Sequence, residues 1–343
     1  MLLLAPGMVA AKKGDTKSEG PVTVALLDGG RKVEFVRTLS SEQELHAKRG
    51  FFNRALDVVA GAPGWHHLVR PYAVTTDSKG RLIITDPGAL AVHIFDLDKN
   101  KYTAIEAGKR QPFKSPIGVA VDGEDNIYVT DSQLGKIFVF DSRGKFRRTL
   151  GDIKGEGFYK RATGLAIDKS EKRIYAIDTL RDRVYITDLD GNIIKYFGNR
   201  GTSDGEFNFP TEVFLRGDEV FVVDAMNFRV QVFDKQGNYK SKFGSLGDKA
   251  GMMFRPKGLG VDSEADVYLV DASLEAIQVF NREGALLYTL GGSGGGVAQF
   301  SLPSGIWIDG KDRIYVADSY NRRIQVFQYT PAQRASNDAR ERR

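Results

Sequence analysis

One acidic residue recurs along this chain at a nearly constant interval, and that interval limits the possible folds more than any other feature. Asp86, Asp131, Asp178, Asp224, Asp271 and Asp318 are separated by 45, 47, 46, 47 and 47 residues. Each closes a run of β-forming residues, from Leu82-Ile83-Ile84-Thr85 to Ile314-Tyr315-Val316-Ala317. Unbroken apolar runs of this length fit strands buried on both faces. A second short run lies upstream, usually after proline, as in Pro116-Ile117-Gly118-Val119-Ala120-Val121. A third follows, such as Arg229-Val230-Gln231-Val232-Phe233, and a turn at Lys235-Gln236-Gly237-Asn238 leads to a fourth ending Lys242-Phe243-Gly244. Four short antiparallel strands in about 45 residues make one propeller blade. The spacing predicts an all-β, six-bladed β-propeller, with blades near 68–110, 113–152, 158–200, 207–246, 254–292 and 300–329.

The sixth copy ends near Tyr329 after three strands. The segment Lys32-Val33-Glu34-Phe35-Val36-Arg37-Thr38-Leu39 has the pattern of the missing fourth, so residues 32–39 are expected to close the last blade and remove its open edge. The propeller then spans 31–329 as one domain, with 1–30 as a clipped signal-like or disordered N-terminus and 330–343 as a disordered basic tail.

The order Pro-x-Gly, strand, Asp, then strand, Asp-x-x-Asn-x-Arg, strand, Phe-Asp and Phe-Gly resembles the NHL repeat. The fullest copies are Asp224-Ala225-Met226-Asn227-Phe228-Arg229 and Asp318-Ser319-Tyr320-Asn321-Arg322-Arg323. Blade 1 departs, with Asp86-Pro87-Gly88-Ala89-Leu90-Ala91; blade 5 has Ala276 for Arg; blade 4 has Glu212 for Gly; blade 3 has Ala162 for Pro. The resemblance implies a bacterial protein of the cell envelope. It also implies relatives of several kinds: scaffolds, lyases or lactonases that use a metal, and RNA binders. The repeated Asp is expected to cap turn amides and to pair with the Arg five residues on, as scaffold rather than catalysis.

The absence of cysteine excludes disulfides and thiolate chemistry. A net charge of +5 does not argue for a nucleic-acid partner. Met1 to Ala11 is a short apolar run resembling the end of a secretory signal. It points to a periplasmic or extracellular location, with a cytoplasmic one as alternative. No stretch approaches the roughly 20 apolar residues of a membrane span.

The loops joining second to third strands, and successive blades, share one face, here called the top. The residues after each Pro or its equivalent form a ring at the channel mouth: Tyr72, Ile117, Thr163, Thr211, Lys257 and Ser304, with Glu212 beside it. The top loops add Leu134, Arg181, Phe228, Leu274 and Tyr320 as candidate contact residues. The largest irregularity is 40–67, read as a helical insertion at 41–60 capped near Ser41-Glu42-Gln43-Glu44. This insertion resembles one seen in exported bacterial NHL-repeat proteins. His46, His66, His67 and His93 do not form a ligand set, and no metal or other cofactor is expected. Gly291-Gly292-Ser293-Gly294-Gly295 imitates a nucleophile elbow but runs into the next blade.

The expectation is a monomeric, non-enzymatic scaffold that binds a protein or peptide partner on its top face, through the inter-blade loops and the 40–67 insertion. The alternatives are a metal-dependent lyase or lactonase acting at the channel, and RNA binding, for which the basic residues on that face are Lys257, Arg181 and Arg322.

Overall fold

In a computed structural model, which describes residues 22–46, 66–105 and 112–332, the second strand of every blade is almost wholly buried. Leu82–Asp86, Ile127–Asp131 and Val267–Asp271 have no exposed position. This is the result their β-branched, unbroken sequences require when a blade packs on both neighbours. Blades 1 to 5 are four-stranded antiparallel meanders in chain order. First strands face the central channel, and fourth strands such as Ile193–Phe197 form the outer wall with mostly exposed side chains.

Six apolar clusters hold the ring, one at each blade-to-blade contact. The contact between blades 6 and 1, for example, joins Tyr315, Ala317, Ile324 and Val326 to Val74, Leu82, Ile84 and Phe95. A ring built this way has no independent core in any blade, so closure decides stability.

Closure occurs as the repeat implied. Lys32–Leu39 pairs antiparallel with Arg323–Thr330, from Lys32 opposite Thr330 to Leu39 opposite Ile324, with a bulge at Val36. Two expectations need correction. Residues 22–30 are not a loose terminus: Val22–Leu26 adds a fifth strand outside the closing one. The hairpin turns through Gly29 and Gly30, whose φ of +74° and +80° suits glycine. The expected helix start is a 3-10 turn at Glu42–His46: the Ser41 carbonyl accepts the Glu44 N–H, and the Glu44 carboxylate reaches back to the Ser40 backbone N–H and hydroxyl. Ser41 also bridges to His67. The rest of the helix expected at 41–60, like the expected segments 1–21 and 333–343, lies outside the described residues.

Leu39 is only 1% exposed and packs in the cluster between blades 6 and 1. Leu39→Ala should therefore cost ~2–5 kcal/mol in a denaturant melt. Removing the outer strand Val22–Leu26, whose side chains are exposed or half-buried, should cost much less.

Candidate functional site at the channel mouth

The repeated Asp builds the mouth. All six copies are fully buried. Each carboxylate accepts backbone N–H groups from the segment just before its blade's first strand. Asp86 takes Val69 and Arg70, Asp131 takes Lys114 and Ser115, and Asp178 takes Lys160 and Arg161. Asp271 takes Phe254 and Arg255, Asp224 takes Asn208, and Asp318 takes Ser301. At Asp86, burial pushes the carboxyl up, but His93 and three backbone amides outweigh it and hold it below its ordinary value.

The expected pairing with the Arg five residues on holds only in blades 4 and 6, at 2.8 Å for Arg229 with Asp224 and 2.7 Å for Arg323 with Asp318. Those guanidiniums also donate to carbonyls of the inter-blade loops, from Thr202, Ser203 and Glu206 in one case and Gly295, Gly296 and Gln299 in the other. In blade 3, Arg181 pairs with Asp178 instead, three residues away. In blade 2 the corresponding Lys136 turns to Asp152. Blades 1 and 5 have alanine there.

The segments that the aspartates hold carry a feature the sequence reading missed. The residue immediately before each Pro, or before Ala162, is Arg70, Ser115, Arg161, Phe209, Arg255 and Leu302 in blades 1 to 6. Arginine thus comes from blades 1, 3 and 5. All three arginines are exposed, and among the described residues no ion pair or side-chain hydrogen bond engages their guanidiniums. The signal was one position upstream of the ring that was read, at the pre-proline residue. Phe209 and Leu302 alternate with them at φ of +53° and +41°. Their backbone N–H groups are taken by Asp182 and Glu275 of the preceding blades, which offsets that backbone strain.

Three shallow recesses surround the mouth. The first is lined by Arg70, Tyr72, Ile117, Arg255, Lys257, Ser304 and Tyr320, among others. The second holds Arg161, Thr211, Met226, Phe254, Arg255 and Lys257. The third holds Arg70, Tyr320 and Arg322. No Asp or Glu lines any of them. Thr211 Oγ1, buried and without a hydrogen-bond partner among the described residues, belongs to a residue bordering the second. Burial and the charge of Arg255 push the Lys257 ammonium below its ordinary value.

Below the mouth the first strands converge. A Cβ on Gly305 would meet the Tyr72 carbonyl at 2.5 Å, and one on Gly258 the Ser304 carbonyl at 2.6 Å. Blade 4 places Glu212 at this level, where it borders an otherwise largely apolar cavity. Glu212 keeps partial accessibility to that cavity, but protein surrounds it at longer range, and this desolvation raises its carboxyl to about 8. Burial first, and the Glu212 charge second, raise the Tyr72 phenol to about 12. Deeper still, the rings of Phe214 and Trp307 lie 5.8 Å apart and narrow the channel.

The other expected residues divide. Thr163 and Ser304 are buried and tie blades together: Ser304 Oγ donates to the Tyr72 carbonyl of blade 1 at 2.7 Å, and the Thr163 carbonyl accepts from Thr130 Oγ1 of blade 2 at 2.6 Å. Leu134 and Phe228 pack against core clusters, Leu274 is half-buried, and Arg181 lies over the Phe158 ring. Met226, Phe254 and Tyr320 stand out at 52%, 51% and 60% exposure. His93 is buried against Tyr102, and His66 pairs with Glu42. Among the described residues no group of three or more His, Cys, Asp or Glu is placed to hold a metal ion.

A family model described as a 6-bladed beta-propeller matches residues 97–200, and the NHL repeat model matches residues 300–327. This chain is a six-bladed β-propeller whose last blade matches the NHL repeat. Solved structures agree on the fold. Virginiamycin B lyase from Staphylococcus aureus is 13% identical, with a TM-score of 0.54, covering 87% of this chain and 99% of that one. An auxiliary nutrient binding protein from Bacteroides thetaiotaomicron is 15% identical, with a TM-score of 0.61, covering 77% and 70%. A curated relative is the non-catalytic subunit of a tRNA (guanine-N(7)-)-methyltransferase from Meyerozyma guilliermondii, 31% identical over 36% of this chain. The match spans 29% of that relative's length.

In this propeller Glu212 links pH to stability. Between its ordinary 4.5 and about 8, the folded state holds a proton that the unfolded state has lost. Stability therefore falls as pH rises through that window. Glu212→Gln should match wild type at the acid end and exceed it by ~1–3 kcal/mol above the window. Denaturant melts at a series of pH values check this, and a constant difference would show that Glu212 does not titrate as described.

Proposed function

We propose that this propeller is a non-enzymatic binding module that seats a protein or peptide segment across its channel mouth. The observation that carries this is the set of three shallow, acid-free recesses drawn from all six blades, each with cations beside apolar or aromatic walls. A compact small ligand is usually engulfed in one deep pocket. Several separate recesses suit an extended chain whose successive side chains enter different ones. Exposed Met226, Phe254 and Tyr320 supply the kind of anchors that dominate such contacts. The narrowing at Phe214 and Trp307 keeps the contact surface at the mouth.

Peptide display against the full chain tests this. Selected peptides should lose about tenfold or more affinity for Phe254→Asp and Tyr320→Asp variants that melt like wild type. Phe228 is a poor probe because it packs on the core between blades 4 and 5. Undiminished binding to both variants, or a selection without binders, refutes the assignment.

A further inference from the structure

We infer that the segment received at the mouth is acidic, its carboxylates seated on an arginine triad, Arg70, Arg161 and Arg255, contributed by alternate blades. This deepens the proposed function and rests on it. The triad breaks the repeat: its position is filled by Ser115, Phe209 and Leu302 in the other blades. The scaffold therefore does not require arginine there. The repeat's own arginines, Arg229 and Arg323, are consumed by buried aspartates and loop carbonyls. The triad's guanidiniums have no such partner among the described residues.

Charge decides the class of ligand. Arg255 and Lys257 share two recesses, Arg161 joins them in one and Arg70 in the other, and no carboxylate lines either. Like charges gathered around one opening repel one another, and an arriving anion relieves that repulsion. A planar guanidinium with exposed N–H donors matches a carboxylate in bidentate fashion. The recess walls also contain Pro303, Leu302, Ala272 and Met226, which fit aliphatic side chains between the acidic ones. Further out, the inter-blade loops mix charges: Asp152, Glu156, Asp204 and Glu206 stand beside Lys154 and Arg200, with Asp152 paired to Lys136 and Asp204 to Lys242. The unanswered positive charge is thus confined to the mouth and does not continue as the track that a polyanionic backbone follows, which favours a short acidic peptide over a nucleic acid.

Fluorescence anisotropy on the full chain tests this with three labelled probes: a peptide of repeated Glu-Phe-Glu-Leu, the same peptide with Gln for Glu, and an oligouridylate. Wild type should bind the acidic peptide more weakly as salt rises. It should bind the Gln peptide about tenfold or more weakly, and R70A/R161A/R255A should lose the acidic peptide by a similar factor. R143A/K145A/R147A, which removes equal charge from the opposite face, should bind as wild type does. Should the triple variant melt early, R161A alone carries the test, with a loss of roughly threefold. If the triad's loss changes nothing while Phe254→Ala with Tyr320→Ala weakens both peptides equally, the acidic assignment falls and the top-face reading stands. If neither set of variants matters, or wild type binds neither peptide, both fall. Tighter binding of the oligouridylate through the same arginines makes the ligand a nucleic acid and overturns the inference.

Discussion

Everything at the top face depends on one buried carboxylate repeated six times. The aspartate at the end of each second strand accepts amide N–H groups from the segment just ahead of its own first strand, so it fixes how each blade follows the last. Such a group is costly to bury alone, and the amides it serves are costly to leave unpaired. The two needs meet only when the segment before the proline lies against the strand end. Its backbone then turns inward to the aspartate. The side chains of Arg70, Arg161 and Arg255 stay exposed at the opening.

The same constraint separates two kinds of arginine. Arg229 and Arg323 complete the aspartate's hydrogen bonds and tie down loops more than 20 residues upstream. They belong to the scaffold, with Asn227 and Gln231 or Asn321 and Gln325 around the same carboxylates. Arg70, Arg161 and Arg255 have only their backbones in that network. A side chain whose backbone is fixed and whose charge is unanswered is well placed to meet a partner: binding then orders the side chain alone, at ~0.5–1.5 kcal/mol each, and not the loop that carries it.

The repeat made the ring, its strand order and its closing strand legible, because one strand pattern recurred with a constant spacing and each copy needed neighbours on both faces. The fifth strand at Val22–Leu26 was not legible: five half-exposed residues bury too little to leave a pattern. The start at Glu42–His46 is a 3-10 turn whose Glu44 carboxylate reaches back to Ser40, a bond that the sequence alone does not mark. Phe228 read as a surface residue because its loop is exposed, yet φ of +53° at that position turns the chain and lays the ring on the core. The mouth residues were half legible. Tyr72, Ile117, Thr211 and Lys257 follow the proline and do border recesses, but the arginines precede it. Only the aspartate's amide bonds show that this preceding residue faces the opening.

Glu212 leaves the positive sign of the mouth unopposed. An ionised carboxylate at the neck would oppose the arginines from below and shorten the reach of their field. Burial in the cavity holds Glu212 protonated at neutral pH instead. The one acidic side chain that breaks the glycine ring is therefore electrically silent where the ligand arrives. Lys257, kept near Arg255 by the same first strand, adds to a field with no counter-charge in the recesses. A carboxylate at the neck that stays mostly protonated at neutral pH thus preserves the positive mouth that the alternate-blade arginines create.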